Sequence, residues 1–411
     1  DVSWCYRLTP AAALPPLPAL HVLNVSFTAV GDALVGSLPV ALEELRMVSC
    51  RSVTAGATLD HVPTLKMLHS MATTLAPVVV AVCRARGCAA PAAVELRGHR
   101  HIVTSLVVLA DGRLASCDDD SEVRLWDPVA GGDATAVLWA ENNVNVLAAL
   151  PCARRLALGT ERCVEVWNVS VGTHPVQTSS IIFDSDSDSN SNSDSACWVT
   201  ALVVLADGCL AAGCIDGTIG VVNVDAGGMA AKCVGRHGRP LNSLAALPDG
   251  TLASGSGNGT VCVWDIGSAV CVAKLYAGEV ESLAVLADGR LASGSWGGTV
   301  ALWDVGSRTC GPVCTMTGHD EKPVVALAAL PDGRLVSVSE YTVQLWDTRT
   351  SAAAAVATTS CAASVVPVTV LAYLPNRTNA LAVLRDGRIA CACKHTPDVF
   401  LLKVPPPAAL E

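Results

Sequence analysis

The densest run of potential ligands and phosphate acceptors in this 411-residue chain is Asp184-Ser185-Asp186-Ser187-Asp188-Ser189-Asn190-Ser191-Asn192-Ser193-Asp194-Ser195. Its Asp-x-Asp-x-Asp opening has the carboxylate spacing of a calcium loop. Such a loop needs glycine at its sixth place and a bidentate glutamate at its twelfth, where this chain has Ser189 and Ser195, so calcium is disfavoured. Phosphorylation at Ser185 or Ser191 competes with that reading and would add about −1.5 to −2 charge per site. The simplest alternative is an inert low-complexity insertion, residues 184–195 forming a disordered acidic flap.

Other chemistry-bearing residues are scattered. The 18 cysteines include no Cys-x-x-Cys, and most sit in apolar runs, such as Cys209, Cys214, Cys262 and Cys271. The closest pair, Cys391-Ala392-Cys393, alternates faces in a strand, which discourages joint metal binding. Reduced, buried thiols in the cytoplasm are the expectation, with no metal site and no disulfide framework. Four glycosylation-type tripeptides, at Asn24, Asn168, Asn258 and Asn376, carry little weight because the motif is short. No nucleophile elbow, phosphate-cradling loop or His-carboxylate pairing stands out, so no catalytic residue and no cofactor is expected.

Charge narrows the partners. The net charge is −10, and residues 1–90 hold six basic and five acidic residues, so the acidic excess lies beyond them. General nucleic-acid binding is disfavoured, since it needs a basic footprint. The longest apolar stretch, Val78–Cys83 with its neighbours, is too short to cross a bilayer. The chain begins at Asp1 rather than methionine, which leads us to expect an upstream segment.

The elements that would position any site follow from a recurring phrase. An Asp-Gly turn leads to an apolar-small strand, a second turn, and a strand closing on Trp-Asp. It runs from Asp111-Gly112 to Trp126-Asp127, Asp249-Gly250 to Trp264-Asp265, Asp288-Gly289 to Trp303-Asp304, and Asp332-Gly333 to Trp346-Asp347. Asp-Gly supplies the positive backbone angles of a tight hairpin. Trp264, Trp303 and Trp346 are 39 and 43 residues apart, a spacing that marks copied supersecondary units.

With these motifs the chain resembles the WD40 repeat family over residues 92–404. Trp167-Asn168 closes a second unit, Val221-Val222-Asn223 a degenerate third, and Phe400-Leu401-Leu402-Lys403 a seventh, with Leu402 in the tryptophan place. The resemblance implies a mainly β, seven-bladed propeller. It also implies that residues 93–97 pair with residues 399–404 to shut the ring and remove an unpaired edge.

The family resemblance further implies a hydrogen-bonded tetrad in each blade. Blade one supplies His99, Ser116, Asp120 and Trp126; blade four His237, Ser254, Asn258 and Trp264; blade six His319, Ser337, Glu340 and Trp346. Blade five keeps Ser293 and Trp303 but has Gly297 in the aspartate place and no histidine. Partners are expected on the top face, formed by the loops leading into each first strand and the turns between second and third strands. By motif position this face holds Arg100, His101, Asp119, Asn142, Ile215, Arg239, Glu279, Glu321, Lys322 and, most pointedly, Trp296. A tryptophan beside two glycines in a tight turn has little local core to fill, although it could instead fold over the channel mouth. The acidic flap falls in the leading loop of blade three. No convergence of polar side chains at the channel mouth is visible in the sequence.

Residues 1–73 follow another period: Leu20-x-x-Leu23-x-Val25, Leu42-x-x-Leu45-x-Met47 and Leu65-x-x-Leu68-x-Ser70, in steps of 22 and 23. This resembles the leucine-rich-repeat family and implies a short α/β solenoid with His21, Asn24, Glu43, Glu44, Arg46, Lys66 and His69 facing outward. An amphipathic helix is the alternative, because leucines at i, i+3 also fit a helical stripe. Residues 74–91 read as a connector and 405–411 as a tail. The function these features imply is a non-catalytic scaffold for other proteins or peptides, the alternative being a substrate-recruiting or ubiquitin-binding adaptor of the ubiquitin system.

Overall fold

A computed structural model describes residues 20–25, 31–46, 62, 67–69, 94–151, 154–161, 163–172, 174–182, 198–225, 232–306, 311–340, 342–348, 364–365, 369–374, 377–393 and 399–406. The acidic flap, the connector 74–91, Lys66 and most of the tail lie outside these residues. The described residues fall into two compact units, those within 1–92 with 371–375, and those within 93–370 with 376–411.

The first unit contains a three-stranded parallel sheet, Val22–Asn24, Glu44–Arg46 and Met67–His69, with Leu23 opposite Leu45 and Leu45 opposite Leu68. A five-residue helix, Asp32–Gly36, follows the first strand. Leu23, Val25, Leu34, Val35, Leu38, Leu42, Leu45 and Val62 are buried, while His21 is exposed beside Glu43.

The second unit carries seven sheets, each begun by an inner strand: Val103–Val108, Val144–Ala149, Val199–Val204, Leu241–Ala246, Val280–Val285, Ala326–Ala329 and Thr378–Val383. Each inner strand neighbours the next, and the seventh neighbours the first, so the ring is shut. Blade one runs outward through Leu114–Asp118, Glu122–Trp126 and Ala136–Trp139. Blade seven is completed from the start of the ring: Val94–Leu96 lies antiparallel to Val399–Leu402, with Leu96 opposite Val399 and Val94 opposite Leu401. Leu402 pairs with Ile389 as Trp126 pairs with Leu114. Blade five gains a short fifth strand, Ser364–Val365, parallel to Cys314–Thr317.

Second strands are buried along their whole length except at Arg155 of blade two, and are rich in small residues, as in Leu252–Ser256 and Leu291–Ser295. The reason is close approach of the next blade. A Cβ on Gly213 would fall 2.2 Å from Leu241 Cδ2, and one on Gly255 would fall 2.5 Å from Val280 Cγ1. Glycine inside a strand therefore marks the hole that receives the first side chain of the following inner strand.

The second residue of most inner strands binds the next blade as well. Thr104 Oγ1 donates to the Val144 carbonyl (3.2 Å), Asn145 Nδ2 to Val199 (3.4 Å), Thr200 Oγ1 to Leu241, Asn242 Nδ2 to Val280 (2.9 Å) and Asn379 Nδ2 to Val103 (3.3 Å). Polar side chains thus recur at the second position of the inner strands. Their hydrogen bonds are spent on holding blades together.

Candidate functional site

Hydrogen-bonded networks inside the blades hold the turns above them. In blade one the Trp126 indole N–H donates to Ser116 Oγ (2.7 Å), Ser116 donates to His99 Nε2 (2.6 Å), and His99 Nδ1–H donates to Asp118 Oδ2 (2.9 Å). The acid is therefore Asp118, and the assignment of Asp120 is corrected. Asp118 ends the second strand, and its Oδ1 accepts the N–H groups of Asp120 (3.2 Å) and Glu122 (3.1 Å), which caps the turn. Asp120 is left pointing out, 3.4 Å from His101 Nε2. Burial alone would raise the Asp118 carboxyl, but the hydrogen bond from His99, with the two backbone donors, outweighs it and holds it below the ordinary value.

Blade four repeats the Trp264–Ser254–His237 relay, at 2.7 Å for each bond. Asn258 sits one hydroxyl away from the histidine: Thr260 Oγ1 lies 3.4 Å from His237 Nδ1 and 2.5 Å from Asn258 Oδ1. In blade six Trp346, Ser337 and His319 form the same relay, and His319 Nδ1 meets Thr342 Oγ1 at 3.1 Å. Glu340 is not part of it and is also corrected; its carboxylate pairs with Arg377. Burial depresses the His319 imidazole to about 4. Blade five has the Trp303–Ser293 bond (2.8 Å), and Ser295 and Thr299 join hydroxyls across its turn at 2.8 Å.

Blade two solves the problem differently. The Trp167 indole donates to Glu165 Oε2 (2.9 Å), while Glu165 Oε1 is buried without a partner. Burial, and then the charge of Glu141, pushes this carboxyl above its usual range.

His99, Asp118 and Glu122 bring one potential ligand atom each within 4.8 Å of one another. Arg124 Nη2 stands 2.5 Å from Glu122 Oε1 and supplies the compensating charge there. The trio has the character of a buried ionic network.

Above these networks one backbone bond recurs. The N–H of the turn residue donates to the carbonyl of the residue that leads into the inner strand: Asp119 to Ile102 (3.1 Å), Ile215 to Trp198 (2.9 Å), Gly257 to Pro240 (3.2 Å) and Trp296 to Glu279 (2.8 Å). It draws two separate segments of each of these blades into one tip, and in blade five it joins two sequence-predicted residues, Trp296 and Glu279. Trp296 is 57% exposed and Ile215 42%, and Arg100, His101, Asp119, Arg239, Glu279, Glu321 and Lys322 are exposed, with Asn142 half-buried. Trp198, 42% exposed and backbone-bonded to Ile215, was missed. Its only sequence signal is an aromatic just ahead of an inner strand, in the place that Ile102, Pro240 and Glu279 occupy elsewhere.

The family model described as WD domain, G-beta repeat matches residues 92–127, 231–265, 269–304 and 310–347. No curated protein matches the chain. The four matched segments end on the Trp-Asp steps of blades one, four, five and six, the blades in which the indole donates to a second-strand serine.

Proposed function

We propose, from a seven-bladed β-propeller that carries WD40 repeats, that this protein is a non-catalytic scaffold whose top face binds other proteins. Propellers of this kind generally serve as interaction platforms, and a fold alone assigns no chemistry, so the weight falls on the surface. The observation that carries the reading is the pair of exposed apolar tips, Trp198–Ile215 on blade three and Trp296 on blade five, with the small Gly257 tip of blade four between them in sequence. Tryptophans that give up water on binding are enriched among interface hot spots.

The first unit supports a second platform. Its strands recur every 22 and 23 residues and pair in parallel with Leu23, Leu45 and Leu68 in register, as stacked leucine-rich repeats would. Two platforms on one chain would raise the effective concentration of one partner at the other. We place the protein in the cytoplasm, a reading that the free thiols of Cys209, Cys233 and Cys271 support. Among the described residues no helix is long and apolar enough to cross a membrane.

The test is quantitative capture from cell extract by the wild-type chain, Trp296→Ala, the double variant Trp198→Ala/Ile215→Ala, and an outer-strand control, Tyr276→Ala. The reading expects prey that the control retains and the top-face variants lose. Prey indifferent to every top-face substitution, or lost with Tyr276→Ala alone, would refute it.

A further inference from the structure

Trp296 has a defined chemical neighbourhood. Its N–H donates to the Glu279 carbonyl, which fixes Glu279 on one flank. On the other flank the turn interlocks with the leading loop of blade six. Val324 N–H donates to the Ser295 carbonyl (3.0 Å), and a Cβ on Gly298 would lie 3.0 Å from both Glu321 Cα and Glu321 N. Asp320 and Glu321 both hold left-handed backbone, with φ of 47° and 59°, a region that residues other than glycine rarely enter. The interlock keeps them there, with both residues exposed.

The described segments that form this tip, residues 277–281, 295–299 and 319–324, contain four carboxylates, Glu279, Glu281, Asp320 and Glu321, against one lysine, Lys322. An apolar partner pressed onto the indole would strip water from carboxylates without replacing it. A polyanion would be repelled. A cation answers both demands, since it is attracted to the face of an indole and to the carboxylates around it.

Resting on the reading of the top face as a protein-binding platform, we propose that Trp296, flanked by Glu279 and Glu321, receives a lysine or arginine side chain from an extended segment of the partner protein. The cation lies over the indole while the carboxylates accept its hydrogen bonds. Lys322, next to Glu321 in sequence, is the one cationic residue of these segments and is exposed. Burial, with Glu279 next to it, raises the Glu281 carboxyl, so an arriving positive charge would favour its ionised form.

The experiment pans the full chain against a display library of random octapeptides and measures selected peptides on four forms: wild type, Trp296→Ala, Glu279→Gln/Glu321→Gln and the Tyr276→Ala control. All substituted residues are exposed, the half-buried Glu281 is left intact, and urea midpoints check that each form folds. Selected peptides should be rich in lysine or arginine, weaken about tenfold with Trp296→Ala, weaken with the double variant, and lose affinity as salt rises. Peptides that need Trp296 but lack cationic residues would overturn this inference and leave the platform standing. Cationic peptides that bind all four forms alike would also overturn it. Failure of every peptide to depend on Trp296, or on Trp198 and Ile215 when the Trp198→Ala/Ile215→Ala variant is added as a fifth form, would remove the platform reading with it.

Discussion

The guanidinium of Arg388 donates a 2.7 Å hydrogen bond to the carbonyl of Pro128, tying the Asp-Gly turn of the seventh blade to the turn that follows the closing strand of the first. The same device recurs: Arg113 reaches Val169 (2.5 Å), Arg290 reaches Thr348 (2.9 Å) and Arg334 reaches Pro405 (2.9 Å). Each arginine is aimed by the aspartate of its own turn, as Asp386 Oδ2 holds Arg388 Nε at 2.7 Å. Arg388→Ala should therefore loosen the closing seam and lower unfolding stability by about 1.5–3 kcal/mol, the range for a hydrogen bond to a charged group. Urea denaturation checks it, and Arg113→Ala, at another seam, should add to it almost independently.

The Asp118 assignment makes a sharp contrast between adjacent carboxylates. Asp118→Ala leaves the His99 Nδ1–H and two backbone N–H groups without their acceptor, and should cost about 2–4 kcal/mol. Asp120→Ala removes only an exposed neighbour of His101 and should change stability by less than about 0.5 kcal/mol. Equal urea midpoints for the two variants would return the tetrad role to Asp120.

How far these features could be read from residues alone depends on the range of the interaction. The blades were legible because their cues are local: Asp-Gly turns, small second strands, and tryptophans that recur at the period of one unit. The pairing of Val94–Leu96 with Val399–Leu402 followed from repeats that begin one strand out of phase. Asp118 was not legible, because Asp118, Asp119, Asp120 and Glu122 crowd one turn and only the geometry at the strand end selects the one that faces the imidazole. The arginine links were not legible either, since their acceptors are backbone carbonyls that any residue provides, as far away as Pro128 is from Arg388. In the first unit the leucine period led to parallel strands in register, but a three-residue strand carries too little pattern to exclude a helical stripe beforehand.

Acid should weaken blade six before it weakens blade five. His319 is held neutral by burial, with its imidazole depressed to about 4 from an ordinary 6.5. The unfolded chain therefore binds a proton that the folded chain refuses as pH falls from about 6.5 towards 4. Stability is full above that window and is lost through it, by at most about 3 kcal/mol. His319→Gln should flatten this part of the stability-pH profile, measured by thermal unfolding. Blade five has no histidine in its network, so Ser293→Ala should lower stability without changing the profile's shape.

Glu165 acts with the opposite sign. Its carboxyl is raised by burial and by Glu141, so its folded form favours the proton. The stability tied to it is full at acid pH and is lost as pH rises from the ordinary carboxylate range through the raised value. Glu165→Gln retains an oxygen for the Trp167 indole and removes the charge, so it should raise the neutral-pH melting temperature and leave the acid one nearly unchanged. A variant less stable than wild type at neutral pH would show that the ionised carboxylate is favourable there.

Ring closure depends on three residues that precede the first blade. Leu96 is fully buried and packs in one cluster with Val399, Leu401 and Trp126, so a single side chain joins the last sheet to the first blade's core. Leu96→Ala should cost about 2–5 kcal/mol, as for other buried leucines whose cavity cannot collapse. Glu95→Pro attacks the same seam through the backbone: opposite Phe400, proline removes a donor and disfavours regular pairing, with the Leu96 side chain untouched. If both variants fall together in melting temperature and gain proteolytic sensitivity in blade seven, the strand's pairing is what shuts the ring. If only Leu96→Ala falls, packing of that one side chain suffices, and the strand is a plug instead of a clasp.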